Sequence, residues 1–131
     1  MKREPLFLTL EEVLSLHADQ IARYGGSPGL RDSTLLSSAV AMPQAAFAGK
    51  FLHATLDEMA AAYLFHLTQN HPFVDGNKRI GLAAALAFLG LNDRELKAEG
   101  DALFDFVMGV AQGLHTKAEI AVFFQQHSRP I

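Results

Sequence analysis

Residues 55–91 read TLDEMAAAYLFHLTQNHPFVDGNKRIGLAAALAFLGL, and this stretch decides the fold class. Its first half repeats apolar side chains every three or four residues, the interval that places them on one face of an α-helix. These side chains are Leu56, Met59, Ala60, Tyr63, Leu64 and Leu67. The pattern predicts a helix from about Thr55 to Asn70, a short loop over 71–76, and an alanine- and leucine-rich helix that ends near Gly90.

Signals for helix starts occur on both sides of this stretch. Thr9, Thr55 and Thr116 each lie three residues before a glutamate, an arrangement in which the two side chains bond amides left free at a helix start. Asp32 is placed to begin a short helix that Pro43 ends, and Asp101 to begin another. No stretch alternates apolar and polar residues as a core strand would. The sequence therefore predicts an all-α fold, a helical bundle.

Two details complete the predicted fold, which we assign to a single domain over residues 1–131. Residues 42–53 lack a helical stripe, so they form either a loop or a short two-stranded flap. The phenylalanines near the C-terminus are assigned to the core; they are Phe104, Phe106, Phe123 and Phe124.

Composition excludes several classes of protein. The chain has 131 residues and is half apolar, which is enough for one domain with a core and excludes a mainly disordered chain. A net charge of −3 argues against direct nucleic-acid binding, and the absence of cysteine excludes disulfides and thiolate chemistry. The longest apolar run, Ile80–Leu91, is shorter than the roughly 20 residues of a membrane span. The first residues lack a signal-peptide cleavage site, so we expect a cytoplasmic protein.

The loop and the helix start that follows it carry the chemistry. Lys78 and Arg79 fall in the first turn of the predicted helix, where free amides already make the electrostatic potential positive. A bound anion removes this mismatch, and Gly76 lets backbone amides approach it. The pattern is typical of a site for a polyphosphate.

Two neighbours of this anion site suggest a reaction. A carboxylate at Asp75 would repel a bare phosphate, but it suits Mg²⁺, which binds one or two carboxylates together with phosphate oxygens. His71 is a candidate general base because its ordinary pKa lies near neutrality. Asn77 either hydrogen-bonds a phosphate or caps the helix, and Phe73 is expected in the core.

The segment His71–Arg79, HPFVDGNKR, resembles the motif His-Pro-Phe-x-(Asp/Glu)-Gly-Asn-(Gly/Lys)-Arg of the Fic/Doc superfamily. Lysine at position 78 is similar to the Doc, or death-on-curing, toxin branch, since ordinary Fic enzymes carry glycine there. The resemblance extends upstream to residues 24–26 and 29–32 and covers most of the chain. Arg31 and Asp32 are nevertheless assigned to a helix start and not to the site.

The resemblance implies a role for each residue of the segment. His71 would accept a proton from a hydroxyl group of the target protein, Asp75 would hold Mg²⁺, and Phe73 would anchor the loop. The flap at residues 42–53 would dock the target. The phosphates of ATP would be bound by Gly76, Asn77, Lys78 and Arg79.

The implied function is that of a toxin in a toxin–antitoxin system. It would use Mg-ATP to phosphorylate a hydroxyl residue of a translation factor, elongation factor Tu, and so halt translation. The family's self-inhibitory helix needs a serine or threonine where Glu95 precedes Glu99-Gly100, so the resemblance implies a separate Phd-like antitoxin.

Two alternatives stay open at this point. Fic relatives transfer AMP to a Ser, Thr or Tyr hydroxyl from the same nucleotide, but they carry a second arginine where this chain has Leu82. The other alternative is a non-catalytic protein that only binds an antitoxin.

Overall fold

The structure, a computed structural model, describes residues 4–131. Residues 1–3, which include the basic Lys2 and Arg3 and on which the expectation about a signal peptide partly rests, lie outside the described residues. In the described part, six α-helices follow one another: α1 Leu10–Tyr24, α2 Ser33–Ala41, α3 Leu56–Asn70, α4 Asn77–Leu91, α5 Gly100–Ala111 and α6 Lys117–His127. Four short strands complete the fold: β1 Ala46–Phe47, β2 Lys50–Phe51, β3 Arg94–Leu96 and β4 Ser128–Pro130. None of the helices within residues 4–131 has the length and apolar character needed to cross a membrane.

Helix α3 lies at the centre of the bundle, in contact with α2, α4, α5 and α6. Its position explains why its apolar residues are buried over more than one face. The largest fully buried side chains come from most of the helices and from the loop between α3 and α4; they include Leu36, Met59, Tyr63, Leu64, Phe73, Ile80, Phe88 and Phe124. The prediction of an all-α fold is confirmed.

The crossing of α3 and α4 depends on Gly81. A Cβ atom at this position would lie 2.7 Å from the hydroxyl oxygen of Thr68 and 3.2 Å from the carbonyl oxygen of Leu64. Only a residue without a side chain therefore allows the two helices to pack this closely. The close packing brings the end of α3 beside the start of α4.

The predicted caps are largely present. Thr9 and Thr116 each form the reciprocal bonds with the glutamate three residues later, and Asp32 accepts a hydrogen bond from the amide of Leu35. At Thr55 only half of the predicted pair is present: its hydroxyl accepts from the Glu58 amide, while the Glu58 carboxylate accepts from the amide of Ala54. The prediction for α5 was wrong, because Glu99 is its N-terminal boundary and Asp101 lies inside the first turn. A carboxylate there is still favourable to the helix dipole, which is why the sequence signal was ambiguous.

The open question about residues 42–53 is resolved in favour of a hairpin. After a 3₁₀ turn at Met42–Gln44, β1 pairs with β2 antiparallel, with Ala46 opposite Phe51. The connecting residues Ala48 and Gly49 both have positive φ, as a tight turn between two strands requires.

Strands β3 and β4 form a second antiparallel pair that the sequence did not predict. Each strand has three residues, too few to show an alternating pattern. The pair joins the segment after α4 to the C-terminal end of the chain.

The assignment of Phe104 to the core was wrong, since its side chain is 65% exposed. The buried stripe of α5 contains Val107 and Val110. At 3.6 residues per turn, Phe106 and Phe104 lie on opposite sides of Val107. Phe106 turns toward α6 and stacks on Phe123 at 4.0 Å between ring centroids, which leaves Phe104 at the surface.

Candidate functional site

A tight loop connects α3 to α4. His71 ends α3 with a left-handed backbone (φ 52°), and Gly76 precedes α4 with a second left-handed conformation (φ 76°). These two residues turn the chain sharply at each end of the loop, and Gly76 adopts its conformation at no steric cost. The side chains of the loop are therefore presented beside the first turn of α4.

The connector between α1 and α2 pairs with this loop. Leu30 forms an isolated antiparallel bridge with Phe73. The carbonyl oxygen of Pro72 accepts hydrogen bonds from the amides of Arg31, at 2.8 Å, and Asp32, at 3.0 Å. The loop is consequently fixed from outside by a segment about 40 residues earlier in the chain.

Arg31 also hydrogen-bonds the backbone at the end of α3. Its guanidinium group donates to the carbonyl oxygens of His71, at 2.7 Å, and Asn70, at 3.0 Å. A positive charge is favourable at a helix C-terminus, where carbonyl groups lack partners. Sequence reasoning left Arg31 out of the site, but the structure places it on the backbone of the candidate base.

His17 supports the loop from the core side. Its ring stacks on Phe73 with centroids 3.7 Å apart and planes 7° from parallel. Its Nε2 atom donates to the carbonyl oxygen of Asp75 at 2.8 Å. The sequence gives no reason to place His17 in the site, because its position on α1 carries no sign that this helix contacts the loop.

Asp75 presents an ionised carboxylate at the surface. One carboxylate oxygen accepts a hydrogen bond from the amide of Ser27 at 3.0 Å, and the other from the amide of Gly76 at 2.8 Å. These two bonds, first that of Ser27, hold the pKa of Asp75 below its ordinary value, and the charges of Arg79 and His17 act in the same direction. The group therefore carries its negative charge at neutral pH.

Asn77 braces the loop through its side chain. The buried amide accepts a hydrogen bond from the Phe73 N–H and donates one to the Phe73 carbonyl oxygen, each at 3.0 Å. The alternative that Asn77 caps α4 was wrong, since Gly76 holds the cap position and makes no side-chain bond there. Backbone amides at the start of α4 remain available, because the first bond of the helix runs from Ile80 to Gly76.

The two cations of the first turn have different environments. The guanidinium group of Arg79 donates to the carbonyl oxygens of Gly25, at 2.9 Å, and Gln20, at 3.3 Å, at the end of α1. Within the described part of the chain, the ammonium group of Lys78 hydrogen-bonds only the thioether sulfur of Met108, at 3.3 Å. Lys78 belongs to none of the ion pairs found within residues 4–131.

A pocket of about 450 Å³ brings the predicted site residues together. It is lined by Thr68, His71, Val74, Asp75, Gly76, Asn77, Lys78, Arg79, Met108, Ala111 and Gln112. Phe73 lies behind this pocket in the core, and the β1–β2 hairpin contributes no lining residue. The buried hydroxyl of Thr68 has no hydrogen-bond partner within the described part of the chain.

A second pocket of about 450 Å³ adjoins the first and shares Lys78, Arg79 and Met108 with it. Its walls are apolar and include Leu82, Leu103, Phe104 and Val107. The exposed position of Phe104 is explained by this location at the surface of a groove.

Asp75 is a single carboxylate in a pocket lined by cations, which suits a metal ion that binds together with a phosphate ligand. The described residues contain no group of three or more His, Cys, Asp or Glu side chains that could hold a metal. Mg²⁺ does not need one, because it keeps waters and binds through one or two carboxylates plus substrate phosphates. Asp75 retains lone pairs beyond its two hydrogen bonds, so its donor set fits such an ion.

The fold and the pocket define a class of protein: a helical domain in which a cationic helix start lies beside a histidine. The comparisons with known proteins agree with this description. The family model "Fic/DOC family" matches residues 7–89, and the chain belongs to the Fic/Doc family. The resemblance inferred from the HPFVDGNKR segment is confirmed.

Two relatives are named for the Doc branch of this family. The chain is similar to "Toxin Doc" of Mycolicibacterium smegmatis, with 45% identity over 95 residues, 72% of this chain and 71% of the relative. It is also similar to "Protein kinase doc" of Escherichia phage P1, with 34% identity over 111 residues, 85% of this chain and 86% of the relative.

Proposed function

We propose that this protein is the toxin of a toxin–antitoxin system and transfers a phosphoryl group from Mg-ATP to a hydroxyl side chain of elongation factor Tu. The observation that carries the proposal is the pocket that places His71, Asp75 and Lys78 around the start of α4. The names of the relatives, one a toxin and the other a protein kinase, support the same reading.

The start of α4 binds the phosphates of the nucleotide. Its backbone amides supply hydrogen-bond donors and the positive end of the helix dipole, and Lys78 adds a full charge that belongs to none of the ion pairs found among residues 4–131. Asp75 holds Mg²⁺, which neutralises phosphate charge when it is bound. Arg79 fixes the helix start against α1 and contributes its charge to the pocket.

His71 acts as the general base. Its side chain is exposed and lines the pocket, so a hydroxyl group of another protein can reach it. As the hydroxyl oxygen forms a bond to the γ-phosphorus, the bond from that phosphorus to the β-phosphate oxygen breaks and ADP leaves. The hydroxyl proton passes to His71.

Control by a separate antitoxin of the Phd type is part of the proposal. Glu95, which stands at the serine or threonine position of the self-inhibitory pattern, lies in β3 and pairs with Arg129 at 2.9 Å. Glu99 and Gly100 form the start of α5 and are not part of a helix with Glu95. The apolar groove beside Lys78 offers a surface that such an antitoxin covers.

The experiment is incubation with elongation factor Tu and ATP labelled at either the α- or the γ-phosphorus. Transfer of γ-label by the wild-type chain and by His127→Ala, but not by His71→Ala, is the expected result. Transfer of α-label would replace the kinase with an AMP transferase, although Leu82 places an apolar wall where that activity uses arginine. Toxicity that survives His71→Ala would indicate binding without catalysis.

A further inference from the structure

His17 makes two contacts with the loop that differ in chemical kind. The stacking on Phe73 is apolar and needs only a flat ring. The contact with Asp75 is a hydrogen bond of 2.8 Å to a carbonyl oxygen, which can only accept. Nε2 must therefore carry a hydrogen atom, so the hydrogen bond depends on histidine in a way that the stacking does not.

The hydrogen bond completes the set of donors around Asp75. Ser27 and Gly76 each donate an amide to one carboxylate oxygen, while His17 holds the backbone carbonyl of the same residue. The Nε2 atom also lies 3.6 Å from the point where a Cβ atom of Gly76 would stand. His17 thus packs directly beneath the Asp75–Gly76 peptide and limits its rotation.

The burial of His17 means that its hydrogen bond to Asp75 cannot easily be replaced. The residue is 4% exposed, so water cannot replace its ring as the donor to Asp75 without opening the core. Loss of the donor would free the Asp75–Gly76 peptide to turn. The carboxylate and the amide of Gly76 would then leave their present directions together.

We propose that His17 is a positioning residue that sets the direction of the Asp75 carboxylate and, through it, the Mg²⁺-dependent part of nucleotide binding. The second half of this inference rests on the proposed function. A role in packing alone predicts that phenylalanine at position 17 serves as well as histidine. A positioning role predicts that it does not, and that a side-chain amide restores the lost effect.

The test compares His17→Phe, which keeps a ring but removes the donor, with His17→Gln, which keeps an N–H at a similar reach. His127→Phe is the matched control. His127 stacks on Phe123 at 4.2 Å and donates from Nδ1 to the carbonyl oxygen of that residue at 2.8 Å, outside the pocket.

The first measurement is amide hydrogen exchange in the protein without ligand. His17→Phe is expected to speed exchange at Ser27 and Gly76 by about 3- to 10-fold, the value of one hydrogen bond, whereas His127→Phe leaves both rates unchanged. Unchanged rates in His17→Phe, or equally fast exchange in His17→Gln, would overturn the positioning role.

The second measurement is calorimetric titration with ATP, with and without Mg²⁺. His17→Phe is expected to lose about 3- to 10-fold of affinity only when Mg²⁺ is present, and His17→Gln to recover most of it. A loss of equal size without Mg²⁺ would overturn the link to Asp75. If the wild-type protein binds no Mg-ATP, the proposed function fails, and the exchange rates still decide the role of His17.

Discussion

Replacement of Asn77 by alanine separates a structural role from phosphate binding. The wild-type side chain makes two hydrogen bonds of 3.0 Å with the backbone of Phe73, in a position where Asn77 is only 5% exposed. Alanine leaves both the N–H and the carbonyl group of Phe73 buried without a partner. At about 1–2 kcal/mol for each group, unfolding should become easier by about 2–4 kcal/mol.

The assay is thermal and urea unfolding followed by circular dichroism. For a domain of this size the loss corresponds to a fall in Tm of roughly 8–16 °C. Asn70→Ala serves as the control, because Asn70 donates a single bond, to the carbonyl oxygen of Leu35 at 3.0 Å, and should lose only about 1 kcal/mol. An Asn77→Ala protein of wild-type stability that binds ATP more weakly would refute this reasoning and restore Asn77 as a phosphate ligand.

Three further predictions concern charge, pH and packing. Asp75→Asn should abolish the increase in ATP affinity produced by Mg²⁺. In the wild-type protein, protonation of Asp75 should not reduce this increase until the pH falls below the ordinary pKa of a carboxyl group, because the pKa of Asp75 is lowered; a titration series in pH measures both. Burial, followed by the charge of Lys117, lowers the pKa of His66 to about 4, so the unfolded chain takes up a proton first and stability falls from pH 6.5 toward 4. His66→Gln should remove about 1–2 kcal/mol of this dependence in urea unfolding, after discounting for partial exposure, and an unchanged pH profile would contradict it. In helix α4, Gly81→Ala should lower the free energy of unfolding by about 1 kcal/mol, because the new Cβ atom meets Thr68. Gly90→Ala, where a Cβ atom has nothing within 4 Å, should raise it by about 0.5 kcal/mol. Shifts of the same sign in the two variants would refute the packing argument.

Local signals predicted much of the fold. Thr9 and Thr116 mark helix starts through bonds to residues three positions away, so the sequence contains both partners. The mismatch of Lys78 and Arg79 with the helix dipole is also local, and it located the pocket. The sequence does not decide between a loop and a hairpin over residues 42–53, because two-residue strands carry no pattern.

Contacts between distant segments could not be predicted in the same way. Some contacts join residues more than 30 positions apart. They include the pairing of β3 with β4, the hydrogen bond from Arg31 to the backbone at the end of α3, and the hydrogen bond from His17 to Asp75. Neither the hydrophobic periodicity of the sequence nor its helix-cap residues indicate such a contact. The orientation of the Asn77 side chain was ambiguous for another reason, since an amide suits a phosphate, a helix start and a buried loop equally well.

If the proposed function holds, the unequal restraint of Lys78 and Arg79 has a consequence for how a nucleotide would bind. Arg79 is held by hydrogen bonds to the carbonyl oxygens of Gln20, in α1, and Gly25, directly after α1. Among residues 4–131, Lys78 hydrogen-bonds only the sulfur atom of Met108, a weak acceptor, so a phosphate would displace almost nothing when it attracted the ammonium group. In the proposed phosphoryl transfer, Arg79 would then provide a fixed contact, and Lys78 would be free to follow the phosphates as their geometry changes.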